Sequence, residues 1–178
     1  MIAWRDRNRN GGFHGSPERG YKNPAGYKWV MPEPVVAHTK HGDLTVDQLA
    51  EVQPGLARLM DELARYFYYL FYAAKGGNWE LARLQHGSVL AVFRTAKTLR
   101  PKYAADMTVF EQECMQPIAD AIGRKDWAAF EQAYQRAIEG SDRYHDKYGF
   151  SYIRYVLPPS PPAHLDLNPP ERRVRRKA

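Results

Sequence analysis

Cysteine is almost missing from this 178-residue sequence; Cys114 stands alone. One cysteine forms no internal disulfide, no cysteine zinc cluster and no thioether-linked c-type haem. Long apolar runs are missing as well, since no stretch reaches the roughly 18 residues that span a bilayer. The N-terminus, Met1 to Asn10, has no apolar stretch of the kind a secretory signal needs, so a cytoplasmic location without a membrane partner is expected. Catalytic signatures are equally scarce. The sequence holds no glycine-rich phosphate loop ahead of a helix, no His-Glu-x-x-His, no Glu-x-x-His and no Gly-x-Ser-x-Gly elbow. These absences disfavour nucleotide-driven chemistry and the familiar metal hydrolases, and neither metal nor cofactor is expected.

Proline and glycine are rare in the middle of the chain and common at its ends. Four of 13 prolines lie in 1–43 and six in 158–178, leaving Pro54, Pro101 and Pro117 between. Charge divides in the same way. The net +6 comes as +3 from residues 1–43 and +3 from 158–178, while 44–157 holds 14 basic and 14 acidic residues. A nucleic-acid reader carries its basic stripe on the folded part, so no nucleic-acid partner is expected. Residues 1–43 read as an irregular arm, because six glycines and four prolines break helix while Trp4, Phe13, Tyr21, Tyr27 and Trp29 argue against a simple polar tail. Residues 44–157 read as the folded domain and 158–178 as a proline-rich, basic tail.

The middle reads as helix. Thr45 and Gln48 have capping-box spacing for a short lead-in helix. A long helix over 54–75 follows, with Pro54 in its first turn and Leu56, Leu59, Leu63, Phe67, Leu70 and Ala74 in steps of three and four. Gly76-Gly77 stops it, and Asn78 caps a second helix over 79–100 that Pro101 ends. Thr108 and Glu111 read as a second capping box, opening a third helix over 109–123 that Pro117 bends and Gly123 stops. Asp126 caps a fourth over 127–148, closed by Gly149. The fold expected is all-α: an antiparallel up-down four-helix bundle with an irregular N-terminal arm and an extended, proline-rich C-terminal segment.

Tyrosine is abundant, with 12 residues, and Tyr66, Tyr68, Tyr69 and Tyr72 crowd one stretch. Consecutive helix positions point around the axis, so some of these rings face a cavity, a second subunit or another surface. On the fourth helix the stripe through Trp127, Phe130, Tyr134 and Ile138 turns polar at Ser141, His145 and Tyr148. An imidazole there suits proton transfer, and the base rate for a satisfied core histidine stands against it. Arg83 and His86 share a face of the second helix, and Arg100 ends it; an inward arginine would clamp an anion bidentately.

Gly77-Asn78-Trp79-Glu80-Leu81-Ala82, Arg100-Pro101, and Asp126-Trp127 with Phe130 together resemble small four-helix, cytochrome c-like bacterial proteins over about residues 54–162. That family ends its last helix in Cys-x-x-Cys-His, where this chain reads Ser141-Asp142-Arg143-Tyr144-His145. The resemblance implies a haem-free relative that keeps only the histidine of the haem motif. The leading expectation is a cofactor-independent acid–base enzyme, a lyase or isomerase, acting on an aromatic and phenolic small molecule in a cavity inside the bundle. His145 and Tyr148 would carry the chemistry, and Arg83, His86, Arg100, Tyr66, Tyr69, Tyr134 and Ser141 would bind the substrate. Two alternatives are a non-catalytic binder of an aromatic ligand or of non-covalent haem, and a structural protein that forms a homodimer.

Overall fold

The structure, a computed structural model, describes residues 36–172. The chain divides into two compact units, Met1–Val46 and Asp47–Ala178. In the first, β1 (Val36–Thr39) and β2 (Gly42–Thr45) form an antiparallel hairpin with Val36 opposite Thr45 and Thr39 opposite Gly42. The turn closes because the Thr39 hydroxyl donates to the Gly42 carbonyl at 2.7 Å and accepts the His41 amide at 3.1 Å. Gly42 has φ +133°, which an L side chain rarely adopts. The stretch 36–43, expected to be irregular, therefore holds the first strand, the turn and the start of the second strand of a hairpin; the rest of the expected arm lies outside the described residues.

The second unit is helical with short links, as the all-α reading requires. A short helix α1 (Val46–Glu51) leads in, and α2 (Leu56–Lys75) starts after Gly55, one residue past Pro54. Helix α3 (Trp79–Leu99) is capped by Asn78, whose Oδ1 accepts the Leu81 amide at 3.2 Å. A 3₁₀ turn (Pro101–Tyr103) runs straight into α4 (Ala104–Phe110), then a π turn (Glu111–Met115), then α5 (Gln116–Arg124). The third helical stretch thus begins about eight residues before the expected 109. Pro101 both ends α3 and opens the next turn, because its fixed φ suits a helix start. Thr108 is no cap: it sits inside α4 and its hydroxyl donates to the Ala104 carbonyl at 2.9 Å. Gly123 is not the stop either, since the chain turns at Lys125 with φ +55°. The bend expected at Pro117 is the π turn. Proline offers no N–H and its ring crowds the carbonyl four residues back, and the preceding turn widens until the Gln116 N–H reaches Glu111 O. Asp126 caps α6 (Trp127–Lys147) through the Ala129 amide, and Gly149 turns the chain out at φ +77°.

Helix contacts run from α2 to α3, from α3 to α4 and α5, from α5 to α6, and from α6 to α2. Leu70, Val89, Ile118 and Phe130 are wholly buried among them. Each such side chain contributes about 1.5–3 kcal/mol on leaving water. Gly140 lets α6 approach the π turn, for a Cβ there would meet the Cys114 sulfur at 2.9 Å and the Phe110 ring at 3.3 Å. Past Gly149 the chain has no regular structure until a 3₁₀ turn at Pro170–Arg172, and Pro162, Leu167 and Pro169 are buried along it. No helix among the described residues is long and apolar enough to cross a membrane.

Candidate functional site

The crowded tyrosines of α2 face the chain's own C-terminal segment. Tyr68 donates to the Ser160 carbonyl at 2.7 Å and Tyr72 to the Pro158 carbonyl at 2.8 Å, while Tyr69 meets His164 Nε2 at 3.3 Å. Carbonyls in a proline-rich run lack local N–H partners, which leaves them open to phenols. Asn78 completes the strap by donating to the Leu167 and Asn168 carbonyls, each at 3.2 Å. Tyr66 turns away and donates to Glu62 at 3.0 Å, a bond that raises its pKa.

Between α2 and α6 the space is filled with rings. Phe67 and Tyr134 stack at 4.0 Å and 7°, and Tyr155 packs on Phe67 edgewise at 5.5 Å. The buried Tyr134 hydroxyl donates to the Phe67 carbonyl at 3.0 Å, so its 3.1 Å bond to Tyr155 uses the Tyr155 proton. Burial holds Tyr134 protonated at any ordinary pH. Tyr155 was not singled out from the sequence, because its place depends on the path of the irregular segment.

At the end of α6, His145 donates Nδ1–H to the Ile153 carbonyl at 3.1 Å. Tyr148 and Lys147 both reach the same Asp106 oxygen at 2.5 Å. Lys147 and then Tyr148 hold the Asp106 carboxyl below its usual range, while Asp106 raises both the Tyr148 phenol and the Lys147 ammonium. Each of the three is driven away from neutrality, the opposite of what proton transfer at pH 7 asks. The cluster ties α6 to α4. Asp106 was missed in the sequence because the start of its helix was placed after it.

Arg83 is exposed, and Arg100 donates to the carbonyl of neighbouring Leu99 at 2.7 Å. Ser141 is half-buried on α6. Among the described residues, no side-chain hydrogen bond, ion pair or ring contact joins any two of the nine expected site residues. His86 is the exception in setting: it is 8% exposed, and its Nε2–H donates to the Met115 carbonyl at 3.0 Å. It lines a hollow of about 260 Å³ with Leu90, Glu111, Gln112, Met115 and Gln116. Burial lowers its pKa, so the imidazole is neutral at pH 7. The π turn that builds this hollow was legible only as a proline bend.

A second, shallower hollow of about 530 Å³ lies on the outer face of α3, lined by Glu80, Arg83, Leu84, Gly87, Ser88 and Ala91. Leu84 is 63% exposed there. Cys114 is buried, and burial pushes its thiol up, so it is no ready nucleophile. The likeness to cytochrome-like bundles rests on the residues quoted for it, for no known family, no curated protein and no solved structure matches this chain.

Proposed function

We propose that this chain is an interaction protein: an antiparallel four-helix bundle that pairs with a second copy of itself through the outer face of α3. One observation carries the reading. Glu80, Leu84, Gly87, Ala91, Arg94 and Thr98 recur in steps of four and three along α3, and all six are exposed. That spacing is the seam of a two-helix coil, yet nothing among the described residues covers it. Gly87 and Ala91 allow two helix axes to approach closely, and Leu84 supplies the apolar knob.

The charges are self-complementary. In a two-fold antiparallel pair centred near Gly87, Glu80 of each copy lies beside Arg94 of the other, giving two ion pairs from one surface. Among the described residues neither Glu80 nor Arg94 has an ion-pair partner. The phenols of α2, by contrast, are occupied by the chain's own tail, so that face is a poor candidate for a second subunit.

Sedimentation velocity on the full chain tests the reading. A dimer at micromolar concentration that Leu84→Glu converts to a folded monomer supports it. A monomeric wild type, or a dimer indifferent to Leu84→Glu, contradicts it.

A further inference from the structure

We propose that the tyrosine face of α2 is a docking site for an extended, uncharged, proline-rich segment of a partner protein, and that the chain's own residues 158–162 fill it in cis. What the face holds tells what it fits. Tyr68 and Tyr72 stand one helical turn apart, about 6 Å along the axis. They donate to the carbonyls of Ser160 and Pro158, two residues apart, a span of up to roughly 7 Å in extended chain. One turn of helix is thus matched to two residues of proline-rich backbone, with the segment antiparallel to α2. The Tyr68 and Tyr72 rings stand at 88° with centroids 5.6 Å apart, an aromatic corner of the kind that proline-rich segments dock against.

Neither bond reads a side chain of the segment. A phenol that donates to a carbonyl accepts any residue there, and the aromatic wall favours a backbone already extended by proline. Residues 155–163 carry no charge, so the occupant is selected by backbone and ring contacts alone. A partner segment of the same composition satisfies the same groups.

The cis occupant is lightly tied at its centre. Among the described residues no backbone–backbone hydrogen bond joins 154–163 to a helix, and Pro159, Ser160 and Pro161 are exposed. The firmer anchors lie to either side, where Tyr155 bonds Tyr134 and where Pro162 and Leu167 are buried. A tethered ligand acts at an effective concentration on the order of millimolar. A free segment therefore enters when it is abundant or when an anchor loosens, which makes Pro162 and Leu167 the control on access.

The test uses the full chain and a fluorescein-labelled peptide copying Val156 to Ala163, with a second peptide whose prolines are all alanine. Leu167→Ser and Pro162→Ser each loosen the cis segment and leave the phenols in place, and circular dichroism selects the variants that keep their helices. Fluorescence polarisation should show either variant binding the peptide roughly tenfold or more tightly than the wild type, because the tethered competitor is weakened. Adding Tyr72→Phe to a loosened variant should weaken binding by roughly threefold to tenfold, the worth of one hydrogen bond. The alanine peptide should bind roughly tenfold more weakly, since it must be ordered on binding. In the wild type, a nitroxide-labelled copy of the peptide at millimolar concentration should broaden the ring signals of Tyr68 and Tyr72. Loosened variants that bind no better than the wild type, equal binding of the two peptides, Tyr72→Phe without effect, or no broadening in the wild type would overturn the proposal. Loosened variants that form tighter dimers and exclude the peptide would overturn it too, since the segment would then be exchanged between copies.

Discussion

Helices α2 and α3 are of nearly equal length, 20 and 21 residues, and pack side by side, yet their second faces meet opposite fates. Helix α2 turns tyrosines outward, and the chain's own proline-rich segment lies across them, held by phenol–carbonyl bonds from Tyr68 and Tyr72. Helix α3 turns Leu84, Gly87 and Ala91 outward between Glu80 and Arg94, and among the described residues that face stays open. The difference is chemical. A phenol has a wide apolar ring and a donor at its tip, and an irregular segment rich in unpaired carbonyls satisfies both. At the middle of the α3 face, Leu84, Gly87 and Ala91 offer no side-chain donor to a strap, and the proposed occupant is a second helix. One face is closed in cis, and the proposed pairing would close the other in trans.

Breaking the closure in cis has the largest expected effect. Asn78→Ala removes the α3 cap and both bonds to the strap at Leu167 and Asn168, and it should cost about 2–3 kcal/mol by urea unfolding. A loss below about 0.5 kcal/mol, the level of an ordinary surface change, would show that the strap is not anchored there. Two helical glycines sharpen the contrast next. Gly140→Ala drives a methyl to 2.9 Å from the Cys114 sulfur and should destabilise by about 1–3 kcal/mol. Gly87→Ala meets nothing within 4 Å and should stabilise the monomer by about 0.5–1 kcal/mol, through helix propensity alone. The same Gly87→Ala should loosen the pair, because its methyl enters the seam. Calorimetry and sedimentation on one sample separate the two effects.

The smallest effects are in pH. The folded pKa of His86 lies below its ordinary value, so the unfolded chain binds more protons as pH falls from about 7 through the ordinary imidazole pKa of ~6.5. Stability is full above that value and declines below it, and His86→Gln should flatten the decline. Asp106 works lower down: its folded pKa is depressed, so its contribution holds above the ordinary carboxylate value of ~3.9 and fades as pH falls below it. Urea midpoints between pH 3 and 8 read both windows, in a range set by ordinary imidazole and carboxylate pKa values.

The helix ends with side-chain caps were legible, since Asn78 and Asp126 announce themselves by residue type and spacing, and Gly149 by its free φ. Thr108 was misread because a threonine three residues before a glutamate looks the same whether it caps a helix or bonds back to Ala104 inside one. Pro101 decides between the two, because a proline suits the first turn of a helix as well as the end of the one before. The tyrosines were rightly read as facing something beyond the core, but what they face depends on where residues 156–168 run, and no local pattern encodes that path. His86 was picked for its helical partnership with Arg83; the structure sets it instead beside Met115, and the two expected partners do not touch. His145 and Tyr148 share the end of α6 as the spacing implied, but each is turned to a different neighbour, Ile153 and Asp106.

The central claim is that α3 pairs with itself through opposite charges, and charge reversal tests it most directly. Sedimentation equilibrium would compare the full chain with Glu80→Arg, Arg94→Glu and the double variant. Each single reversal sets like charges face to face twice and should weaken the dimer, whereas the double variant restores opposite pairs and should recover it. A wild type that remains monomeric, or single reversals that dimerise as well as the double, would contradict the account.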